Sequence, residues 1–169
     1  MGELGAEELN LGLLLFIPYR HMESAVIAAL RAHGHDLPLN QARVFARVNP
    51  QGSRLAELAE AAQVSKQTVG SIVDQLERAG YVRREPDPAD ARARLVRITD
   101  KGHEIIELST PVVREIEASW ENYLGRDRAR ELRSTLQALR QITDPFLTRE
   151  STAPEASGGG SRPTRVNAG

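Results

Sequence analysis

Apolar side chains return at three- and four-residue steps through most of this chain, and the places where that rhythm changes divide it into elements. From Glu8 to Arg31 a broad stripe of Leu9, Gly12, Leu13, Phe16, Ile17, Met22, Val26, Ile27 and Leu30 predicts a helix, kinked or divided at Pro18. Gly34 ends it, Leu37-Pro38 restarts the chain, and a short helix through Gln41, Val44, Phe45 and Val48 runs to the breaker Asn49-Pro50-Gln51-Gly52. Leu55, Leu58, Ala59 and Ala62 then mark one side of a short amphipathic helix, with Glu57, Glu60 and Gln63 on the other. Gln63-Val64-Ser65 interrupts it. Ser65 is placed to cap a new helix, in which Val69, Ile72, Val73 and Leu76 form the buried stripe and Gly80 supplies a left-handed stop.

Two helices joined by so short a turn, with small Ala59 at the crossing, Val64 at the turn and Val69 and Ile72 facing inward, have the spacing of a helix-turn-helix. Gln63 stands where such turns often carry Gly. Beyond Gly80 the period changes from helical to extended: Tyr81-Val82-Arg83-Arg84-Glu85 and Leu95-Val96-Arg97-Ile98-Thr99 are β-prone runs. The prolines and charges of Pro86 to Arg94 exclude helix between them and predict a hairpin with a long exposed tip. An arginine-bearing tip beside a helix-turn-helix can reach a minor groove while the helix occupies the major groove.

After the hairpin, Thr99 is placed to cap a helix of about six turns with the stripe Ile105, Leu108, Val112, Ile116, Trp120 and Leu124, bent at Pro111. Gly125 breaks it. Asp127 is the expected N-cap of a last helix through Leu132, Leu136, Leu139 and Ile142, which ends near Pro145. The apolar first helix and these two terminal helices carry more nonpolar surface than one small domain covers, which predicts a homodimer built from them. A two-fold axis would set two reading helices about 34 Å apart, in successive major grooves of a roughly palindromic site.

The run SKQTVGSIVDQLERAGYVRREPDPADARARLVRITDKG resembles the second helix and wing of MarR-type (multiple antibiotic resistance regulator) winged helix-turn-helix proteins. The family's D-P-x-D-x-R-A wing stands here as Asp87-Pro88-Ala89-Asp90-Ala91-Arg92-Ala93, and its L-T-x-x-G as Ile98-Thr99-Asp100-Lys101-Gly102. Ala91 replaces a usual arginine, and Gly70-Ser71 a usual Thr-Arg. The resemblance implies a mainly α (α+β) fold, a winged helix-turn-helix over 37–99 held between dimerisation helices at 8–36 and 100–147. Residues 1–7 are expected to be a flexible start, and 148–169, rich in Ser, Gly, Pro and Thr, a disordered tail.

The function implied is that of a dimeric, sequence-specific regulator of transcription, a repressor released from double-stranded DNA by a small effector such as an aromatic acid. DNA-facing candidates are Ser65, Lys66, Gln67, Thr68 and Ser71 at the start of the second helix, and Arg92 and Arg94 in the wing. Gln67 suits adenine and Lys66 suits guanine or phosphate, whereas Ser65 and Thr68 also suit a purely capping role. By the resemblance Asp90 braces Arg92, which leaves Arg94 as the groove reader. The effector pocket is expected near Phe16, Tyr19, Arg20, His21 and Trp120, with Arg20 placed to meet a carboxylate.

Composition narrows the alternatives. With 22 basic and 23 acidic residues the net charge is -1, so any DNA footprint must be local. The absence of cysteine excludes thiol sensing, disulfides and thiolate metal sites. Only His33 and His35 are close in sequence, so no metal and no other cofactor is expected. No glycine-rich phosphate loop, H-E-x-x-H pair or G-x-S-x-G elbow is present, and the chain does not read as an enzyme. The apolar run Leu11 to Ile17 falls short of a bilayer span and Met1-Gly2-Glu3 is not a signal start, which predicts a cytoplasmic protein. Two other readings stay open: an architectural DNA binder without an effector, and a protein-interaction module that kept the winged fold but lost DNA binding.

Overall fold

The computed structural model describes residues 9–144; the expected flexible start and the expected tail lie outside them. In chain order the elements are α1 (Leu11–Ala32), α2 (Leu39–Phe45), β1 (Ser53–Arg54), α3 (Leu55–Ala61), α4 (Lys66–Arg78), β2 (Val82–Asp87), β3 (Asp90–Ile98), α5 (Asp100–Leu124) and α6 (Arg126–Thr143). The three strands form an antiparallel sheet in the order β1-β3-β2.

Helix α1 begins at Leu11 because the Asn10 side chain accepts the Leu13 N–H at 3.0 Å, and it continues through Pro18 without dividing. In a 22-residue helix the one hydrogen bond a proline removes is a small part of the ladder. The helix is long enough for a membrane span, and an 18-residue window within it has a mean hydropathy of 1.3. Its second half is nevertheless committed to the domain: Leu30 is buried, and Glu23 is ion-paired to Arg43 of α2.

The core sits where α2, α3 and α4 meet the root of the hairpin. Leu58, Val69, Val73 and Leu76 are fully buried, and Val82 and Val96 close the sheet side. Burial of four branched aliphatic side chains at about 25 cal/mol per Å2 makes this cluster the main stabiliser of the helix pair. Ile105 ties α5 to the same core. Gly102 makes that approach close, since a Cβ there would lie 2.3 Å from the Tyr81 carbonyl oxygen and 2.7 Å from Ile98.

The hairpin departs from its expected form. Strands β2 and β3 extend to a two-residue turn at Pro88-Ala89, so Asp90 to Arg94 belong to a strand rather than to a long loop. Asp87 pairs with Asp90 and Pro86 with Arg94, which leaves residues 91–93 as an insertion in β3. The paired stretch was hidden because the prolines at 86 and 88 and the charges that follow read as a loop. Strand β1 was not expected at all; two residues suffice because Ser53 and Arg54 pair with Val96 and Leu95.

Thr99 caps α5 by accepting the Gly102 N–H at 3.1 Å, and α5 runs on through Pro111. Helix α6 is preceded by Gly125 at φ 83°, so the N-cap is Gly125 and Asp127 lies in the first turn instead. There its charge still suits the positive end of the helix.

Candidate nucleic-acid interface

At the turn between α3 and α4, Gln63 takes φ 54°, the left-handed conformation usual for the glycine it replaces. Ser65 then caps α4: its Oγ accepts the Thr68 N–H at 3.1 Å and lies 2.8 Å from the Thr68 hydroxyl. The two hydroxyls are therefore engaged with each other and with the helix end. Ser71 is also engaged, since its hydroxyl accepts from Gln75 at 3.4 Å. Lys66 and Gln67, both exposed, have no side-chain partner among the described residues.

The hairpin root is locked to α4. Arg84 reaches Asp74 at 2.6 Å and Glu77 at 2.5 Å, and its backbone N–H donates to Glu77 at 2.9 Å. Arg83 and Arg97 both pair with Glu85, so neither is a free cation. Near the tip, Arg92 and Arg94 are exposed and their guanidinium groups have no partner among the described residues.

The expected brace between Asp90 and the Arg92 guanidinium is not formed; Asp90 accepts the Arg92 backbone N–H at 3.1 Å and so shapes the turn. The ionic brace is Asp87 with Arg54, whose Nε donates at 2.8 Å. Asp87 also accepts the Ala89 N–H at 2.8 Å. That backbone bond, followed by the Arg54 guanidinium, holds the Asp87 carboxyl below the usual carboxylate range. Arg54 was missed because its strand has only two residues; the acid beside two prolines at 86 and 88 was the available signal.

This end of the domain thus presents Lys66 and Gln67 at a capped helix start and Arg92 and Arg94 on a braced hairpin, four side chains with no partner among the described residues. A model of the MarR family matches residues 35–93, from just past α1 into β3. The matched stretch is similar to the MarR family. It is similar to the transcriptional regulator HosA of Escherichia coli O111:H-, 34% identical over 91 residues, 54% of this chain and 65% of that protein. The transcriptional repressor NicR of Pseudomonas putida is 33% identical over 92 residues, 54% of this chain and 56% of that protein. The match therefore spans less than two thirds of these relatives. Transcriptional regulator Tm0710 from Thermotoga maritima superposes with TM-score 0.54 at 26% identity, over 85% of this chain and 97% of that one. CouR from Rhodococcus jostii RHA1, solved with p-coumaroyl-CoA, shares the fold with TM-score 0.62 at 23% identity, over 80% of this chain and 94% of that one.

The expected effector residues do not converge. Tyr19 alone of the five lines the cavity of about 520 Å3 between α1, α2 and α5, which is walled mainly by aliphatic side chains such as Val26, Ile27, Phe45 and Val113. Trp120 lies with Tyr19 in a separate groove toward α6. Phe16 and His21 are exposed and outside the cavity, because the helical period turns them away from α5. Arg20 is already paired with Glu23 at 2.8 Å, so it does not await a carboxylate. Glu23, 8% exposed, also accepts from Tyr19 at 3.1 Å and from Arg43 at 2.6 and 3.0 Å. The Arg43 hydrogen bonds, with those of Arg20 and Tyr19, outweigh burial and lower the Glu23 pKa. Glu23 and Arg43 were the overlooked pair: an acid inside an apolar stripe was their signal.

Proposed function

We propose that this protein is a sequence-specific DNA-binding regulator of transcription acting as a homodimer in the cytoplasm. The observation that carries the reading is the set of uncommitted donors at one end of the molecule: Lys66 and Gln67 at the start of α4, Arg92 and Arg94 on the hairpin. Helix α4 would enter a major groove, Lys66 meeting guanine or phosphate and Gln67 adenine, while the hairpin follows the backbone into the neighbouring minor groove. Ser65, Thr68 and Ser71 set the helix start and its outer face. Asp87 and Arg54 hold the hairpin at its angle, and Asp90 shapes its tip.

The opposite end supports the dimer. Leu11, Phe16 and Ile17 are 65%, 51% and 53% exposed, and Leu132, Leu136 and Ile142 on α6 are exposed as well, apolar surface that a second copy would cover. The cavity between α1, α2 and α5 would take a small, largely apolar effector whose binding shifts the two reading heads and releases DNA, the action of a repressor.

The test is fluorescence anisotropy of the purified protein with the DNA directly upstream of its coding region, against a scrambled duplex, in a salt series. Regulation predicts preference for one duplex by about 10³ or more. Equal binding with a steep salt slope would favour the architectural binder instead, and no binding at low salt the interaction module. Replacing Lys66 and Arg94 with alanine must weaken binding and flatten the salt slope by about one phosphate contact for each charge lost.

A further inference from the structure

The cavity between α1, α2 and α5 has six polar side chains in its wall, and five of them are already engaged. Tyr19, Glu23 and Arg43 bond one another, and the hydroxyls of Ser109 and Thr110 donate to the Ile105 and Ile106 carbonyls of their own helix at 2.6 and 2.7 Å. Arg114 is the sixth. It has no hydrogen-bond or ion-pair partner among the described residues. A ligand filling this aliphatic chamber therefore finds one free charge, at the Arg114 end, and its anionic group must lie there.

Arg114 belongs to a second concavity as well. It heads an open groove between α5 and α6 of about 430 Å3, which also carries Arg126, Arg130 and Arg133. Four arginines face two glutamates in that wall, Glu117 and Glu121. The ion pairs inside it are loose and solvent-exposed: Arg126 to Glu121 at 3.6 Å and Arg133 to Glu117 at 3.1 Å, while Arg130 reaches Asp127 at 3.4 Å. Such pairs are held weakly and exchange readily for a multivalent anion. From Arg114 to Glu121 the groove follows α5 for about 10 Å, two turns of helix. A single carboxylate needs one arginine and none of that length.

Resting on the effector reading above, we propose that the ligand is an apolar acyl or aryl group joined to a phosphate-bearing tail, as in an acyl-coenzyme A. The acyl group fills the chamber, the linkage passes Arg114, and the phosphates lie along Arg126, Arg130 and Arg133.

The experiment is isothermal titration of the full chain with benzoyl-coenzyme A and octanoyl-coenzyme A, each compared with its free acid and with coenzyme A alone, at low and high salt. At least one thioester is expected to bind at least about tenfold more tightly than both its parts, with an advantage that shrinks as salt rises. The paired change Arg126→Gln with Arg130→Gln, at side chains 87% and 77% exposed, should leave folding intact and remove most of that advantage. Arg114→Gln should weaken thioester and free acid alike. Free acids binding as tightly as thioesters, a thioester unaffected by the paired change, or no thioester binding in the micromolar range would each overturn the proposal. The anisotropy assay run beside it separates the two readings. Release of DNA by a free acid with no thioester advantage keeps the effector and refutes the tail. A groove-dependent thioester that leaves DNA bound supports the ligand class and refutes its regulatory role.

Discussion

Two glycines inside helices, Gly70 in α4 and Gly102 in α5, should respond oppositely to the same substitution. Helix propensity alone favours alanine at both, by about 1 kcal/mol in a helix interior and less in a first turn. At Gly70 an added Cβ meets only Leu55, at 3.7 Å, an ordinary contact. At Gly102 it would lie 2.3 Å from the Tyr81 carbonyl oxygen, 2.7 Å from Ile98 and 3.2 Å from Phe45. The first of these is backbone and cannot rotate away, so α5 must move off the hairpin root. Overpacking of this kind costs about 1–3 kcal/mol or more, which exceeds the small propensity gain in the first turn. Gly70→Ala is therefore expected to stabilise by up to about 1 kcal/mol, and Gly102→Ala to destabilise by about 2 kcal/mol or more. Urea unfolding followed by circular dichroism at one fixed protein concentration reads both, since a dimer's stability depends on concentration. A Gly102→Ala protein as stable as the parent would refute the packing of α5 against Tyr81. A destabilised Gly70→Ala protein would refute the open space beside α4.

Ser65→Ala removes the acceptor of the Thr68 N–H and should cost about 1 kcal/mol in urea unfolding, with a loss of DNA affinity at the helix start read by anisotropy. Gln63→Gly relieves the left-handed conformation at φ 54°; the relief of about 1 kcal/mol outweighs the added freedom of the unfolded chain, so a small gain in stability is expected. Because the folded Asp87 carboxyl titrates below its ordinary range, the stability it lends is fully present above that range and is lost only as pH falls through the depressed value. Asp87→Asn should flatten this acid limb in pH-dependent melting and loosen the wing. Glu23→Gln frees Arg43 from a full carboxylate; it should change ligand response in the anisotropy assay more than it changes DNA affinity without ligand, and equal effects on both would count against Glu23 as part of the switch.

The α3–α4 end was legible because its signals are local. Ser65 and Thr99 were identifiable as caps from residue type and position, and the inward stripe of α4 follows from spacing alone: Val69, Ile72, Val73 and Leu76 are all buried. The wing motif located the hairpin but not its register. The prolines at 86 and 88 and the charges that follow read as a loop and outweighed the Ala-Arg alternation of 91–94, so Arg92 and Arg94 were placed in the tip rather than in a strand. The cavity was not legible, for a different reason. Its wall is assembled from α1, α2 and α5, and its charged members, Glu23, Arg43 and Arg114, come from positions 20 and 71 residues apart along the chain; a helical wheel shows which side of one helix is apolar, never which neighbour it meets. Tyr19 lines the cavity while Phe16, Arg20 and His21 do not, because sequence proximity does not put side chains on one face, and Trp120 lies in a separate groove.

What connects the two ends is helix α2, only seven residues long. Arg43 on this helix is tied to Glu23 at the cavity wall, and Gln41, two residues earlier, donates to Gln75 of α4 at 2.8 Å across a half-buried contact. Opposite sides of one short helix thus hold the cavity and α4, and neither tie can shift far without strain on the other. Coupling needs a ligand that binds two arrangements of α2 unequally. A group that only filled the aliphatic chamber would touch both arrangements alike. A group that competes for Arg43, or draws Arg114 and α5 toward its own charge, would not. The energetic lever therefore lies in the charged rim, and the apolar volume sets which molecules can reach it.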